Sequence, residues 1–251
     1  MVRLDAIETY YDAVPRAAAT TEEVGPFTLF LAEEGTGWDF YARPRLGGES
    51  SFTAEDVRRV LARQVELGRP RAIEWVDEVT PSLFAAAAEA GHATGRYPLL
   101  ALPAETEVAA PARTRVLEPD DPDLGLTVGA VSAAFAGTDE VTERPVGRRP
   151  ELIASGHLIE VAAYDESGRL LGGGSAAPRG ETAELMGIGV PPSARRGGAG
   201  TAITLALVHA CRAAGVRTVF LSAYNDAAAG IYRKVGFEDV GTACILESAD
   251  E

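Results

Sequence analysis

Between Val190 and Gly200 the chain reads VPPSARRGGAG and then enters the apolar run TAITLALVHACRAAG (201–215). Glycines let a backbone take positive φ and let a ligand approach the main chain closely. A helix that opens there leaves its first amides unpaired at its positive end, which suits an anion. Arg195 and Arg196 add charge beside it. The chemistry this points to is capture of a phosphate-bearing cofactor. Spacing narrows the choice. No Gly-Lys dipeptide exists, so a nucleotide P-loop is excluded. Gly187 and Gly189 are followed by Pro192, and Gly198 and Gly200 by Ile203, so neither pair completes G-x-G-x-x-G. What remains is R-x-x-G-x-G: Arg195, Gly198, Gly200.

Other reactive residue types are sparse. His92, His157 and His209 stand singly, without metal-ligand spacing, so no metal is expected. Cys211 and Cys244 lie in apolar settings and read as reduced core thiols. There are 37 acidic against 23 basic residues, a net charge of −14. Such a surface repels nucleic-acid backbones and anionic lipid, so neither partner is expected, and Arg148-Arg149 and Arg195-Arg196 are among its few pairs of adjacent basic residues. Lys234 is the sole lysine, a bias of GC-rich coding without functional content. Asp5, Glu8 and Asp12 break up the opening of the chain, and apolar runs stay short of a membrane span; the expected compartment is the cytoplasm.

With 46% apolar and 24% charged residues over 251 positions, the composition is that of one large or two small globular domains. Helical spacing predicts a helix over 3–19, and strand-like runs follow at 27–34 and 38–45 around GTG at 35–37. Thr53, followed by Ala54, Glu55 and Asp56, caps a helix whose stripe is Val57, Val60, Leu61, Val65 and Leu67. Then come a strand at 72–76, a helix at 81–91 and a strand at 97–102. PAETEVAAPA (103–112) has proline near both ends and no periodicity, a linker. The rest reads as strand 114–119, helix 126–137, a short helical stretch and a hairpin of 158–165 with 169–178. Strand 182–190, the glycine loop, helix 201–215, strand 218–224, helix 226–236 and strand 240–247 complete it.

The halves repeat at an offset of 145 residues: Gly91 falls opposite Gly236, Thr80 opposite Asn225, and AIEWV opposite TVFLS. Opposite the loop 191–200 stands LGGESSFTAE (46–55), which lacks the arginine and puts Glu49 where a pyrophosphate would be repelled; opposite Tyr232 stands Ala87.

The block from ELMGIGV to FEDVG resembles the acetyl-CoA-binding half of the GNAT superfamily of N-acetyltransferases. The matching pieces are Val190-x-Pro192, the R-x-x-G-x-G loop, TVFLSAY followed by Asn225, and IYRKVGF (231–237) with Tyr232 and Gly236-Phe237. The resemblance extends from residue 113 to the end. It implies an α/β (α+β) fold: a mixed, mostly antiparallel twisted sheet flanked by helices and splayed between strands 182–190 and 218–224. Acetyl-CoA would be the co-substrate, without a metal. Its pantetheine would bond the backbone at Ile188, Gly189 and Val190, and its pyrophosphate would take Arg195, Arg196, Gly197, Gly198, Ala199 and Gly200. Asn225 matches a position touching the pantetheine arm, and Tyr232 the tyrosine that protonates the leaving thiolate. Glu184 is the candidate general base, with Glu160 and His157 as others.

The expected organisation is a degenerate GNAT-like domain at 1–104, a linker at 105–112 and a catalytic domain at 113–251, in a monomer or homodimer. The expected function is transfer of an acetyl group to a small-molecule or peptide primary amine, by direct attack in a ternary complex. A non-catalytic acyl-CoA-binding or protein-interaction module is the alternative. The charge would favour a cationic acceptor by steering.

Overall fold

The computed structural model describes residues 4–32, 41–48 and 51–248. Glu49, the turn at 35–37 and the adjoining ends of strands 27–34 and 38–45 lie outside them. The first half runs α1 (Leu4–Arg16), β1 (Ala19–Val24), β2 (Phe27–Ala32), β3 (Ala42–Pro44), α2 (Ala54–Glu66), β4 (Arg71–Val76), α3 (Pro81–Glu89) and β5 (Gly95–Leu102). The second runs β6 (Thr114–Val116), α4 (Leu124–Ala136), α5 (Arg149–Ala154), β7 (Ile159–Tyr164), β8 (Leu170–Arg179) and β9 (Thr182–Gly189). A 3-10 turn (Pro192–Ala194), α6 (Ala199–Ala213), β10 (Thr218–Ser222), α7 (Asp226–Val235) and β11 (Glu238–Ser248) complete it.

Local chemistry explains the elements. Thr53 caps α2 with a full capping box: its hydroxyl accepts from the Asp56 amide, while Asp56 accepts from the Thr53 amide. Gln64 on α2 then bonds both the carbonyl and the amide of Ala72, fixing the helix to β4. Gly137 ends α4 in the left-handed region. β1 was not legible as a strand: ATTEEV is polar, because it pairs only on one side, antiparallel to β2. α6 opens at Ala199, two residues earlier than expected, so Ala199 and Gly200 belong to its first turn.

Both halves follow one plan. From α1 and from α5 onward the order is helix, three strands, helix, strand, helix, strand. Pairing repeats too: β1–β2 and β2–β3 are antiparallel and β3–β4 parallel, as β7–β8 and β8–β9 are antiparallel and β9–β10 parallel.

The chain divides into two compact units. One holds the described residues up to Leu99 with Ser222–Asn225 and the strand from Asp239; there β11 pairs antiparallel to β4, with Cys244 opposite Trp75. Its core gathers Phe27, Phe52, Val57, Ile73, Trp75 and Leu246. The other unit holds Leu100–Leu221 and Asp226–Glu238, with strand order β10-β9-β8-β7-β6. In it α6 buries Ile203, Leu207, Val208 and Cys211, and Leu117, Leu124 and Ala162 pack together. The stretch read as a linker is tied down there: Arg212 donates to the carbonyls of Pro103, Ala104 and Thr106, and the His209 ring contacts the Ala109 carbonyl oxygen at 3.1 Å.

Among the described residues, no helix is long and apolar enough to cross a membrane, and no group of His, Cys, Asp and Glu could hold a metal ion. Both cysteines are buried and unbridged, and burial pushes their thiols up to about 12.

Candidate active site

Two adjacent strands of the second unit, β9 and its neighbour β10, part company after a short paired stretch. β9 and β10 pair in parallel only at Thr182–Thr218, Ala183–Val219 and Glu184–Phe220, and β9 then continues to Gly189 without β10. A bulge accompanies the divergence. β8 meets β9 at Ser175–Met186 and next at Gly173–Gly189, so β9 holds an extra residue between those rungs. Gly187, inside the bulge, has φ +59°, a conformation a side chain disfavours.

The chain leaves β9 through Val190 into the glycine loop. Arg195 folds back on it: Nε donates to the Val190 carbonyl at 2.9 Å and Nη2 to the Ala134 carbonyl of α4 at 3.0 Å. Asp139 holds the loop from outside, accepting from the Ser193 amide at 2.8 Å. Bonds from Ser193 hold its carboxyl below the usual range.

Past Arg195 the backbone opens. Arg196 and Gly198 both take left-handed φ, +65° and +86°, and Gly198 is the N-cap of α6. Among the described residues, no acceptor exists for the amides from Arg196 to Thr201. Arg196, Gly197 and Gly198 are exposed, Ala199 is buried and Gly200 half-buried. A Cβ on Gly198 would meet nothing within 4 Å. Consecutive free amides curved by alternating handedness form an anion-binding nest, and the dipole of α6 reinforces it. The residues therefore fit a pyrophosphate.

At the start of α2 the equivalent positions are closed. Phe52, opposite Gly197, is only 5% exposed and packs on Phe27 with ring centroids 5.0 Å apart. Its amide donates to Ser82 Oγ, and the capping box of Thr53 and Asp56 uses amides that Gly198 leaves open.

The other expected site residues fall as follows. Ile188 lies half-buried in the bulged stretch of β9, Gly189 ends the strand, and Val190 follows it. Glu184 is half-buried on the last paired rung. Tyr232 stands half-buried on α7, its ring edge-on to Phe237 at 6.1 Å. Its hydroxyl has no hydrogen-bond partner among the described residues, and burial raises its pKa, so it holds its proton at neutral pH. Asn225 is exposed on the turn before α7, in the short segment grouped with the first unit. His157, exposed, has its Nδ1 at 2.9 Å from Ser155 Oγ. Glu160 is 3% exposed, accepting from Arg149 Nε at 2.8 Å and Ser175 Oγ at 3.0 Å.

The acetyltransferase (GNAT) family model matches residues 133–237, which span the bulged strand, the nest and Tyr232. Residues 133–237 form a GNAT-family acetyltransferase domain. No curated protein matches the chain. Among solved structures, a GCN5-related N-acetyltransferase from Kribbella flavida is 21% identical with a TM-score of 0.76, covering 98% of this chain and 96% of that one. A GCN5-related N-acetyltransferase-like protein from Streptococcus suis is 13% identical, TM-score 0.53, covering 88% and 83% respectively. A tandem GNAT protein from the clavulanic acid biosynthesis pathway is 17% identical, TM-score 0.51, covering 90% and 79%. At these identities the likeness is one of fold, and it runs through both halves. GNAT acetyltransferases use acetyl-CoA as co-substrate and transfer its acyl group to amine acceptors.

Proposed function

We propose that this chain is an acetyl-CoA-dependent N-acetyltransferase acting on a primary amine, with one working half. The reading rests above all on the run of free amides from Arg196 to Thr201 at the start of α6. These would hold the pyrophosphate, with Arg195 keeping the loop in shape and Arg196 adding exposed charge. The backbone of Ile188, Gly189 and Val190, freed from β10, would bond the pantetheine, and Asn225 would touch it.

Acetyl-CoA supplies an activated acyl carbonyl and a thiolate leaving group. Tyr232 is suited to donate a proton from Oη, since burial keeps the phenol neutral and no internal acceptor claims it. Two carboxylates, Glu184 and Glu160, stand on the same face of β7 to β9 and could take a proton from the amine. We assign residues 113–251 to the catalytic copy and 1–104 to the degenerate copy joined by 105–112, with β11 contributed to the sheet beside β4. The acidic surface would steer cationic amines, small molecules or peptides, toward the protein.

The test is thiol release from acetyl-CoA with a panel of primary amines, in wild type and Tyr232→Phe. We expect turnover that Tyr232→Phe lowers about 100-fold while acetyl-CoA affinity by calorimetry stays within about twofold. Cofactor binding without thiol release on any amine would instead favour the binding-module reading.

A further inference from the structure

We propose that Ser175 and Glu160 form the route by which the acceptor amine loses its first proton, Ser175 meeting the acceptor and Glu160 acting through it. This assignment rests on the acetyl-transfer reading above. Glu160, Ser175 and Met186 are cross-strand neighbours on β7, β8 and β9, so their side chains share one face of the sheet. α4 packs on β8 and β9 there, with Val131 beside Gly187, and Arg149 at the start of α5 reaches Glu160. The two carboxylate oxygens of Glu160 have different partners: Oε1 accepts from Arg149, and Oε2 accepts from Ser175 Oγ at 3.0 Å. The serine hydroxyl thus donates inward and keeps its lone pairs for a proton arriving from the other side.

That other side is the bulge. A Cβ on Gly187 would stand 3.9 Å from Ser175 Oγ and 3.8 Å from Val131 Cγ1, so the glycine leaves clear the space next to the hydroxyl. It does so just beyond the last rung joining β9 to β10. Glu184 is three residues before Gly187, opposite Ala177, on that last rung itself.

The protons balance. An ammonium acceptor has three N–H bonds and the amide product keeps one, so two protons leave. The first passes to Ser175 Oγ as the serine proton passes to Glu160 Oε2, leaving a neutral amine, an intact serine and a protonated Glu160. The amine lone pair then forms the C–N bond and the C–S electron pair leaves with sulfur, which takes the Tyr232 proton. The second amine proton restores Tyr232, and Glu160 releases its proton to solvent.

Burial raises the Glu160 pKa above the ordinary glutamate range, while Arg149 and Ser175 pull it partly back. The groups around it are Arg149 from α5, Ser175 from β8 and, farther along the face, Glu184 from β9; α4 brings no charged side chain over Leu124–Ala136.

The experiment compares wild type, Glu160→Gln, Ser175→Ala, Arg149→Met and Glu184→Gln. Phenethylamine, spermidine and a lysine-containing peptide serve as acceptors across pH, with acetyl-CoA affinity measured calorimetrically. In the ligand-free proteins, carboxyl 13C NMR of labelled glutamate follows Glu160 directly. We expect Glu160→Gln to lower kcat about 100-fold and Ser175→Ala at least about tenfold, with acetyl-CoA affinity within about twofold. Besides Glu74, one glutamate should titrate above the ordinary range, vanish in Glu160→Gln and move to higher pH in Arg149→Met. The acidic limb of kcat/KM should follow it in both variants and be unmoved in Glu184→Gln. Wild-type rates in both Glu160→Gln and Ser175→Ala, or an acidic limb removed by Glu184→Gln, would overturn the assignment and leave acetyl transfer standing. A wild type that binds acetyl-CoA yet acetylates none of the amines would overturn both.

Discussion

Thr53 and Gly198 stand at equivalent positions of the two halves, 145 residues apart, and each is the N-cap of a helix, α2 after β3 and α6 after β9. Thr53 closes its helix with a hydroxyl and a capping box; Gly198, with no side chain and a left-handed φ, leaves the amides of α6 open. One position thus separates a half built to hold itself together from a half able to hold a diphosphate.

Calorimetry should therefore find one acetyl-CoA site per chain. Thr53→Ala should cost about 1 kcal/mol of stability by loss of the cap, without creating a second site. Two sites in the wild type would contradict this.

Gly198→Glu should abolish coenzyme A binding, because its carboxylate would project into open space at the anion nest. Gly198→Ala should bind more weakly and melt lower, since an L side chain at φ +86° costs about 1 kcal/mol. Wild-type affinity in Gly198→Glu would remove the nest from the account.

The two loop arginines should part company in salt. Arg196 is exposed and unpaired among the described residues, so Arg196→Ala should weaken coenzyme A binding about fivefold at low salt, and the loss should fade near about 1 M. Arg195 braces the loop through the carbonyls of Val190 and Ala134. Arg195→Ala should lose affinity at any ionic strength, and Arg195→Lys should rescue little, as an ammonium lacks the planar fork that reaches both carbonyls. Equal salt sensitivity would refute the bracing role.

In the first unit Glu74 faces the buried Arg43, whose guanidinium also contacts Glu8 and lies 4.3 Å from the centre of the Tyr11 ring. Burial pushes Glu74 up to about 7, with Arg43 opposing and Glu247 adding to the rise. Since the folded chain holds this proton more tightly than the unfolded one, the group favours folding at low pH. That contribution is lost as pH rises from about 4.5 through about 7. The melting temperature of Glu74→Gln should gain on wild type across that window, and a constant gap would contradict it.

Much of this site was readable in the sequence because its chemistry is local. Glycines, arginines and a helix start lie within one stretch of chain, and the repeat placed the starts of α2 and α6 in register. What escaped was decided by distant packing. ATTEEV carries no apolar alternation, so β1 shows itself only by pairing with β2. The bonds of Arg195 to Val190 and to the distant Ala134 could not be read from the loop's sequence. Ser175, in the run GGGSAAP, acquires meaning only when the bulge sets Gly187 beside it. That β11 pairs with β4 could not be read from residues so far apart in the chain.

The most direct test is amide NMR of the chain titrated with coenzyme A. The account predicts saturable shifts at the amides from Arg196 to Thr201 together with Ile188 and Val190, and none at Phe52 to Asp56. Unmoved amides at Arg196 to Thr201 in a protein saturated with the ligand would contradict it.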